Sequence, residues 1–187
     1  MAQRPKALTR ELVAQSRIFR VEAVDLQFSN GEQRRYERLL GGKRGSVLVV
    51  PMLDDDTVLL IREYAAGSHD YQLGLPKGRM EPEDEDPLQA ADRELREEVG
   101  YGARDLRLLR TMTIAPAYIQ HHTHIVLARD LFPDKRPGDE PEPIEVVPWR
   151  LSDWPSLMAQ PDLTEARSIA ALYMTREFLH DATPAPG

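Results

Sequence analysis

The stretch GRMEPEDEDPLQAADRELREEVGY, residues 78–101, decides the fold. Its second half predicts a short helix. Asp86 is a suitable N-cap, Pro87 fits the first helical position, and Gly100 suits the residue just past the helix end. Apolar residues recur along it at spacings of three and four, namely Leu88, Ala91, Leu95 and Val99. This spacing predicts one buried face of the helix.

Three glutamates, Glu94, Glu97 and Glu98, stand beside that buried face. At roughly 100° per residue their carboxylates share one sector of the helix surface and converge on one patch. The patch lies in the last turn, where the helix dipole is already negative, so the clustering is unfavourable. Mg²⁺ prefers carboxylate oxygens and leaves positions free for a phosphate. The patch by itself is compatible with a solvated acidic face or with a magnesium site.

The pattern extends on both sides of the helix, from Gly78 through Glu85 and Arg93 to Tyr101. It resembles the Nudix box of the Nudix hydrolase superfamily, G-x5-E-x7-R-E-U-x-E-E-x-G-U with U apolar. One difference is that six residues, not five, separate Gly78 from Glu85. Asp84 could take the acidic position instead. We prefer Glu85, because the additional residue then stays in the loop and leaves the helix register intact.

Other segments are similar, in the same order, to bacterial Nudix hydrolases of ADP-linked compounds: REYAAGS, YQLGLPKG, TIAPAY and GDEPEP. The resemblance implies Mg²⁺-dependent hydrolysis, with Mn²⁺ as a substitute, of ADP-ribose, diadenosine oligophosphates and NADH to release AMP. It implies three metal ligands, of which the second also serves catalysis: Glu94, Glu97 and Glu98. It assigns structural roles within the motif to Gly78, Glu85, Arg93 and Gly100.

A proline-rich segment, Phe132 to Pro143, predicts a loop with carboxylates at its tip. These carboxylates are either solvated charges or part of the catalytic machinery, since hydrolysis needs a group that deprotonates water. Related enzymes place a loop glutamate in this region of the chain. Glu140 is therefore the first candidate for the base and Glu142 the second.

Three residues before the box are candidates for binding the substrate: Arg62, Tyr64 and Lys77. For each of them, packing or simple solvation is the alternative. Arg93 lies roughly across the helix axis from the glutamate patch. We therefore expect it to anchor the loop and orient a glutamate rather than to touch the substrate.

The length and composition of the chain restrict the class of protein to which it can belong. The chain has 187 residues, of which 41% are hydrophobic and 29% charged, as in a globular domain with its own core. The net charge of −7 argues against a nucleic-acid partner. The sequence contains no cysteine and no apolar run of membrane length. Its first sixteen residues lack the apolar segment of a secretory leader, so we expect no secretion signal. We expect a cytoplasmic protein.

The rest of the chain predicts an α/β fold, an α/β/α sandwich around a mixed sheet, with an N-terminal antiparallel β region. Residues 1–16 are a polar lead or a short helix, and alternation around Ser29–Gly31 predicts a hairpin up to Leu40. The resemblance implies that residues 1–44 form a homodimer and that residues 45–182 form the Nudix domain. Residues 183–187 are expected to be a disordered tail.

Two other functions remain open. One is pyrophosphohydrolysis of RNA 5′ ends, which the acidic net charge disfavours. The other is a Nudix module that senses a ligand without cleaving it. Retention of all three helical glutamates argues against a sensor, because binding alone does not require activated water.

Overall fold

The computed structural model describes residues 3–42, 44–81 and 86–182. Glu85 and the predicted tail, residues 183–187, lie outside this range. The described residues divide into two compact units. The first comprises the residues up to Gly45 together with Thr113–His122, and the second comprises Ser46–Met112 and the residues from Thr123 onward.

Eleven strands are present in the described part of the chain: β1 (Lys6–Gln15), β2 (Arg20–Gln27), β3 (Gln33–Leu40), β4 (Ser46–Pro51), β5 (Thr57–Ala65), β6 (Asp70–Gly74), β7 (Lys77–Arg79), β8 (Tyr101–Met112), β9 (Ile119–Gln120), β10 (Thr123–Pro133) and β11 (Glu145–Arg150). The helices of the same residues are α1 (Pro87–Glu94), which continues as a π-helical turn (Leu95–Val99), α2 (Trp154–Met158), which follows a 3₁₀ turn (Leu151–Asp153), and α3 (Ala166–Ala182). None of the described helices combines the length and the apolar character needed to cross a membrane.

The first unit is one sheet in the order β1-β2-β3-β9. Strands β1, β2 and β3 are antiparallel, and β9 joins β3 in parallel. The predicted hairpin is confirmed, with Gly31 at a φ of 86° in its turn. The prediction of a polar lead or short helix is wrong for β1. Every residue of this strand is exposed, so the sequence carries no alternation of buried and exposed residues that would predict a strand. Its backbone pairing with β2 determines its structure instead.

The second unit contains two sheets, one in the order β7-β4-β10-β8 and one in the order β11-β5-β6. The first is mixed, because β4 and β10 are parallel whereas β7 and β8 are antiparallel to their neighbours. Pro148 lies in β11, an edge strand of the second sheet, where the missing backbone N–H is tolerated. Every residue of β4 is buried, as the continuous apolar run predicts.

Alternate side chains of β4 face different layers, which gives the predicted α/β/α arrangement. One cluster joins β4 to α1, and the other joins it to α2 and α3. The α1 cluster includes Val47, Val49, Ala91 and Leu95; the α3 cluster includes Leu48, Val50, Ala171 and Leu172. The fold class predicted from the sequence is therefore confirmed.

Helix α1 begins and ends as predicted. The Asp86 side chain accepts hydrogen bonds from the backbone N–H groups of Leu88 and Gln89, at 2.7 and 3.1 Å. Gly100 ends the helix with a φ of 87°, and its N–H donates to the Leu95 carbonyl. The π-helical geometry of the last turn is not predicted by the sequence pattern, and this turn carries Glu97 and Glu98.

Candidate active site

The first wall of the site is built where β7 passes under α1. Gly78 on β7 pairs with Val47 of β4, which fixes the strand beneath the helix. A Cβ atom at Gly78 would lie 2.1 Å from Oε1 of Glu94. Glycine at this position leaves the space in which the Glu94 carboxylate lies directly against the backbone.

Glu98 is the most constrained carboxylate of the three. Its side chain is 5% exposed, and Oε2 accepts a hydrogen bond from the Lys77 backbone N–H at 3.0 Å. Burial, with a further contribution from the charge of Glu94, raises the pKa of Glu98 to about 8, although Lys77 acts in the opposite direction. The folded chain thus holds an acid that is costly to ionise in the absence of a nearby positive charge.

Glu94 is in a similar environment. It is 7% exposed, and burial raises its pKa to about 7, opposed chiefly by the charge of Arg93. Nη1 of Arg93 donates to Oε1 of Glu94 at 2.8 Å and to Oε2 of Glu97 at 3.1 Å. Nη2 donates to the Arg79 carbonyl at 2.9 Å. Arg93 thus joins two glutamates to the strand that precedes the box loop.

The second wall is the segment between β10 and β11. Together with the three helical glutamates it encloses a cavity of about 470 Å³, which we call the acidic cleft. Its lining residues are Glu94, Glu97, Glu98 and residues 135–144. Burial, followed by the charges of Glu63 and Asp139, raises the pKa of Glu140. Glu142 accepts a hydrogen bond from the Tyr71 hydroxyl. The structure thus brings both candidate bases to the same cleft as the helical glutamates.

The donors of the acidic cleft suit a hard divalent cation. They are carboxylate oxygens, which Mg²⁺ and Ca²⁺ prefer, and the described residues add no sulfur or imidazole to the cleft. Among the described residues no three acidic or histidine side chains are already grouped as a metal site, and Arg93 engages both Glu94 and Glu97. The burial that disfavours charge on Glu94 and Glu98 is what a cation would offset. The residues present therefore fit such an ion.

Lys77 is the first residue of β7 and lines a separate cavity together with Glu63. Its Nζ is 2.8 Å from Oε2 of Glu63, and both side chains are about one-quarter exposed. Its backbone N–H and its ammonium group therefore serve different carboxylates, Glu98 and Glu63. This contact keeps the ammonium group close to the acidic cleft.

Arg62 and Tyr64 line a smaller cavity of about 170 Å³, which shares Glu140 with the acidic cleft. Arg62 is held by two carboxylates, Nη1 to Glu145 at 2.6 Å and Nε to Asp162 at 3.0 Å. These ion pairs show that Arg62 also ties β11 and the segment before α3 to β5.

Tyr64 forms part of a small aromatic group. Its hydroxyl is 2.6 Å from Nδ1 of His69, and its ring meets that of Tyr71 edge to face with centroids 5.8 Å apart. Tyr71 and Glu63 are members of the site that sequence reasoning missed. Glu63 stands between two candidates in the sequence, but only the fold brings Tyr71 next to the loop that carries Glu142.

Two family profiles match this chain. The NUDIX domain profile matches residues 42–173, and the profile described as the NudE-type Nudix hydrolase N-terminal domain matches residues 5–38. The chain belongs to the Nudix hydrolase family, so it is a hydrolase of acid anhydrides, and the predicted resemblance is confirmed. Members of this family work with a divalent metal ion.

Particular relatives narrow the comparison. The chain is 48% identical to the "ADP compounds hydrolase NudE" of Escherichia coli (strain K12), over 95% of this chain and 94% of that protein. It is 26% identical to the "ADP-ribose pyrophosphatase" of Bacillus subtilis (strain 168), over 89% of this chain and 92% of the other. A crystal structure of an ADP compounds hydrolase matches 99% of both chains with a TM-score of 0.91 and 45% identity.

Proposed function

We propose that this protein is an Mg²⁺-dependent pyrophosphohydrolase of ADP-linked metabolites, with ADP-ribose, diadenosine oligophosphates and NADH as substrates and AMP as a product. The observation that carries the proposal is that the helical glutamates and a loop glutamate line the same cleft. The names of two similar proteins, an ADP compounds hydrolase and an ADP-ribose pyrophosphatase, support the choice of substrates.

In this proposal Glu94, Glu97 and Glu98 hold the cation, which can be Mn²⁺ in place of Mg²⁺, and Glu97 also contributes to catalysis. When bound, the cation offsets negative charge on the pyrophosphate and makes water easier to deprotonate. The backbone N–H of Lys77 orients Glu98. The ammonium group of Lys77 binds the phosphates after leaving Glu63, from which it is 2.8 Å away.

The loop supplies the base. Glu140 accepts the proton of the attacking water, and a pKa raised by burial makes its carboxylate a stronger base than an ordinary glutamate. Glu142 is the second candidate. Its carboxylate already accepts a hydrogen bond from the Tyr71 hydroxyl, so Glu140 fits the role better.

The smaller cavity binds the part of the substrate beyond the pyrophosphate in this proposal. Arg62 and Tyr64 line it, and it adjoins the acidic cleft at Glu140. The group beyond the pyrophosphate, such as a ribose or a second nucleoside, therefore binds beside Arg62 and Tyr64 in this proposal. The ring of Tyr64 is held in place by its edge-to-face contact with Tyr71, so the bound group can stack on the Tyr64 ring in this proposal.

The proposed organisation assigns residues 1–44 to a homodimer interface and residues 45–182 to the Nudix domain. The match of a separate N-terminal profile to residues 5–38 supports a distinct role for this part of the chain. Exposed apolar side chains on β1 and in the following turn support an interface there: Leu8, Leu12, Val13, Ile18 and Phe19. The location that suits these substrates is the cytoplasm.

A substrate panel tests the proposal. The purified protein is incubated with ADP-ribose, diadenosine tetraphosphate, NADH and triphosphorylated RNA, each with Mg²⁺ and with chelator, and the products are identified. We expect AMP from the ADP-linked substrates only when Mg²⁺ is present. Preferential release of pyrophosphate from RNA would favour the RNA alternative. Tight binding of ADP-ribose without cleavage would favour the sensor.

Three substitutions assign the roles. Glu98→Gln keeps the shape and an acceptor for the Lys77 N–H, so we expect a folded protein with at least about a hundredfold lower turnover. Glu140→Gln and Glu142→Gln, compared at several pH values, separate the two candidate bases. Loss of the acidic limb of the pH profile in the Glu140 variant alone is the expected result; the same loss in the Glu142 variant alone would reverse the assignment.

A further inference from the structure

Arg96 occupies a position that the Nudix box leaves unspecified, yet its side chain is only 12% exposed. Its Nε donates to Oδ2 of Asp92, one turn earlier on the helix, at 2.7 Å. Its guanidinium lies over the Phe132 ring, 5.3 Å from the centroid. A long cation held by both a carboxylate and an aromatic face has little freedom to move.

Room for this guanidinium is provided by Gly102 on β8. A Cβ atom there would lie 2.7 Å from Nη2 of Arg96 and 2.6 Å from Cζ of Phe132. A larger residue at this position would require Arg96 or Phe132 to shift. Gly102 therefore leaves the space in which the guanidinium lies over the ring.

The same arginine holds the start of the loop that carries the candidate bases. Its Nη1 forms an ion pair with Asp134, and its backbone carbonyl accepts a hydrogen bond from the Arg136 N–H at 3.1 Å. Two neighbouring contacts act in the same direction. The Asp134 N–H donates to the Gly100 carbonyl at 3.0 Å, and the Lys135 ammonium donates to the Glu97 carbonyl.

We propose that Arg96 is a positioning residue, which fixes the loop at Asp134–Arg136 to the π-helical turn that follows α1 and thereby sets the position of Glu140 in the wall of the acidic cleft. The inference rests on the proposed function, in which Glu140 is the base. The residues it pins also satisfy backbone carbonyls at the helix end, so the loop and the metal-binding turn move as one body.

The anchored segment lies close to Glu140 along the chain. Only a few residues separate the pinned segment from Glu140, and one of them, Gly138, comes within ordinary contact distance of Glu97 when a Cβ is added. A displacement of the anchor is therefore passed to the Glu140 carboxylate with little attenuation. A misplacement of about 1 Å in a catalytic group can lower a rate by about a hundredfold.

The kinetic test uses Asp134→Asn, which removes the charge from the loop side without altering the helix, and Arg96→Gln, which removes it from the helix side. We expect kcat for ADP-ribose to fall by about tenfold or more in both, with KM within about twofold, because water activation changes while substrate contacts do not. Arg96→Lys, which retains one ion pair but not the forked geometry, should fall between these variants and the wild type.

Arg104→Ala is the matched control. The guanidinium of Arg104 also lies over the Phe132 ring, 4.6 Å from its centroid. Arg104 forms its ion pair with Asp130 rather than with the loop. Its loss should leave kcat and KM unchanged. A comparable fall in kcat in this variant would show that the ring, and not the anchor, is responsible, and would overturn the proposal.

Hydrogen–deuterium exchange, measured on the protein without metal or substrate, tests whether Arg96 holds the loop and does not depend on activity. We expect faster exchange of the Asp134 and Arg136 amides in Asp134→Asn and Arg96→Gln, and wild-type exchange in Arg104→Ala. Unchanged exchange, or faster exchange with unaltered kcat, would overturn the inference. An inactive wild type would instead overturn the proposed function and the catalytic part of the inference, while exchange still decides whether Arg96 holds the loop.

Discussion

At the scale of single residues, Glu98 links the site to the stability of the fold. Its pKa is about 8 in the folded chain, above the ordinary value of 4.5, because the carboxyl group is buried and lies near Glu94. The folded state therefore binds this proton more tightly than the unfolded state. The resulting stabilisation is fully present below pH 4.5 and is lost as the pH rises through about 8.

Thermal unfolding of the metal-free protein should show this dependence. We expect the midpoint to fall between pH 5 and pH 8 more steeply in the wild type than in Glu98→Gln, which has no proton to lose. Differential scanning calorimetry of both proteins at matched ionic strength measures the difference, and titrating groups distant from Glu98 cancel between them. Parallel pH curves for the two proteins would contradict the burial argument.

At the same scale, we expect a substitution of Gly78 to affect metal binding more than stability. In Gly78→Ala the added Cβ would meet the Glu94 carboxylate at 2.1 Å, and a flexible side-chain end can move away at little cost. We expect the free energy of unfolding to change by less than about 1 kcal/mol. Mg²⁺ affinity should fall by about 10–100-fold, as when a residue that orients a ligand is lost. Chemical denaturation and metal titration measure the two quantities, and a large stability loss with unchanged affinity would contradict this account.

At the scale of elements, α3 supports the chain segment that enters the site. Ser168 is fully buried, and its Oγ accepts a hydrogen bond from the Leu75 N–H at 3.0 Å. Glu165 in turn accepts hydrogen bonds from the backbone N–H and the hydroxyl of Ser168. This chain of bonds fixes the segment just before Lys77, whose N–H orients Glu98.

Two substitutions on α3 should act in opposite directions. Ser168→Ala leaves the buried Leu75 N–H unpaired, so we expect a loss of about 1–3 kcal/mol in the free energy of unfolding. Thr175→Val should stabilise by about 1 kcal/mol, because Thr175 Oγ1 is buried and is the side-chain oxygen without a partner among the described residues. Denaturant unfolding measures both. Equal losses would contradict this hydrogen-bond assignment.

The same helix shows where sequence reasoning reaches its limit. Helix α1 was predictable because its cap, its apolar spacing and its terminal glycine all agree with the structure. The buried face of α3 instead includes Ser168 and Thr175, whereas Tyr173 is 46% exposed. An apolar spacing rule places Tyr173 inside and the two hydroxyl residues outside. Strand β7 has only three residues, too few for any periodic signal.

For the site, spacing within one helix was enough to predict that Glu94, Glu97 and Glu98 share a patch. Contacts between distant segments were not predictable in this way. The ion pair between Arg96 and Asp134 and the hydrogen bond between Tyr71 and Glu142 depend on the sheet order, which no local pattern encodes. The burial of Glu98 likewise follows from packing, not from its neighbours in sequence.

At the scale of the whole molecule, the proposed dimer depends on the apolar residues of the N-terminal sheet. Leu12 on β1 is 51% exposed, and Phe19 in the following turn is 57% exposed. Large exposed apolar side chains that cluster on a surface mark interaction sites, so we propose that these are covered by a partner. A second copy of the chain is the partner that we propose.

Sedimentation velocity tests the dimer with two variants. Leu12→Glu should convert the wild-type dimer to a monomer at micromolar concentration, because a charge buried without a partner opposes association. Leu108→Glu on β8, where the leucine is 45% exposed, is the matched control and should remain dimeric. A monomeric wild type would refute the proposed interface, as would dissociation of the Leu108 variant alone.

The most direct measurement of the central claim is calorimetric titration of Mg²⁺ into the folded protein, alone and with a non-hydrolysable ADP-ribose analogue. We expect the wild type to take up the cation, more strongly with the analogue, and Glu98→Gln to bind it much more weakly. Absence of uptake by the folded wild type under both conditions would contradict the view that Glu94, Glu97 and Glu98 form a metal site.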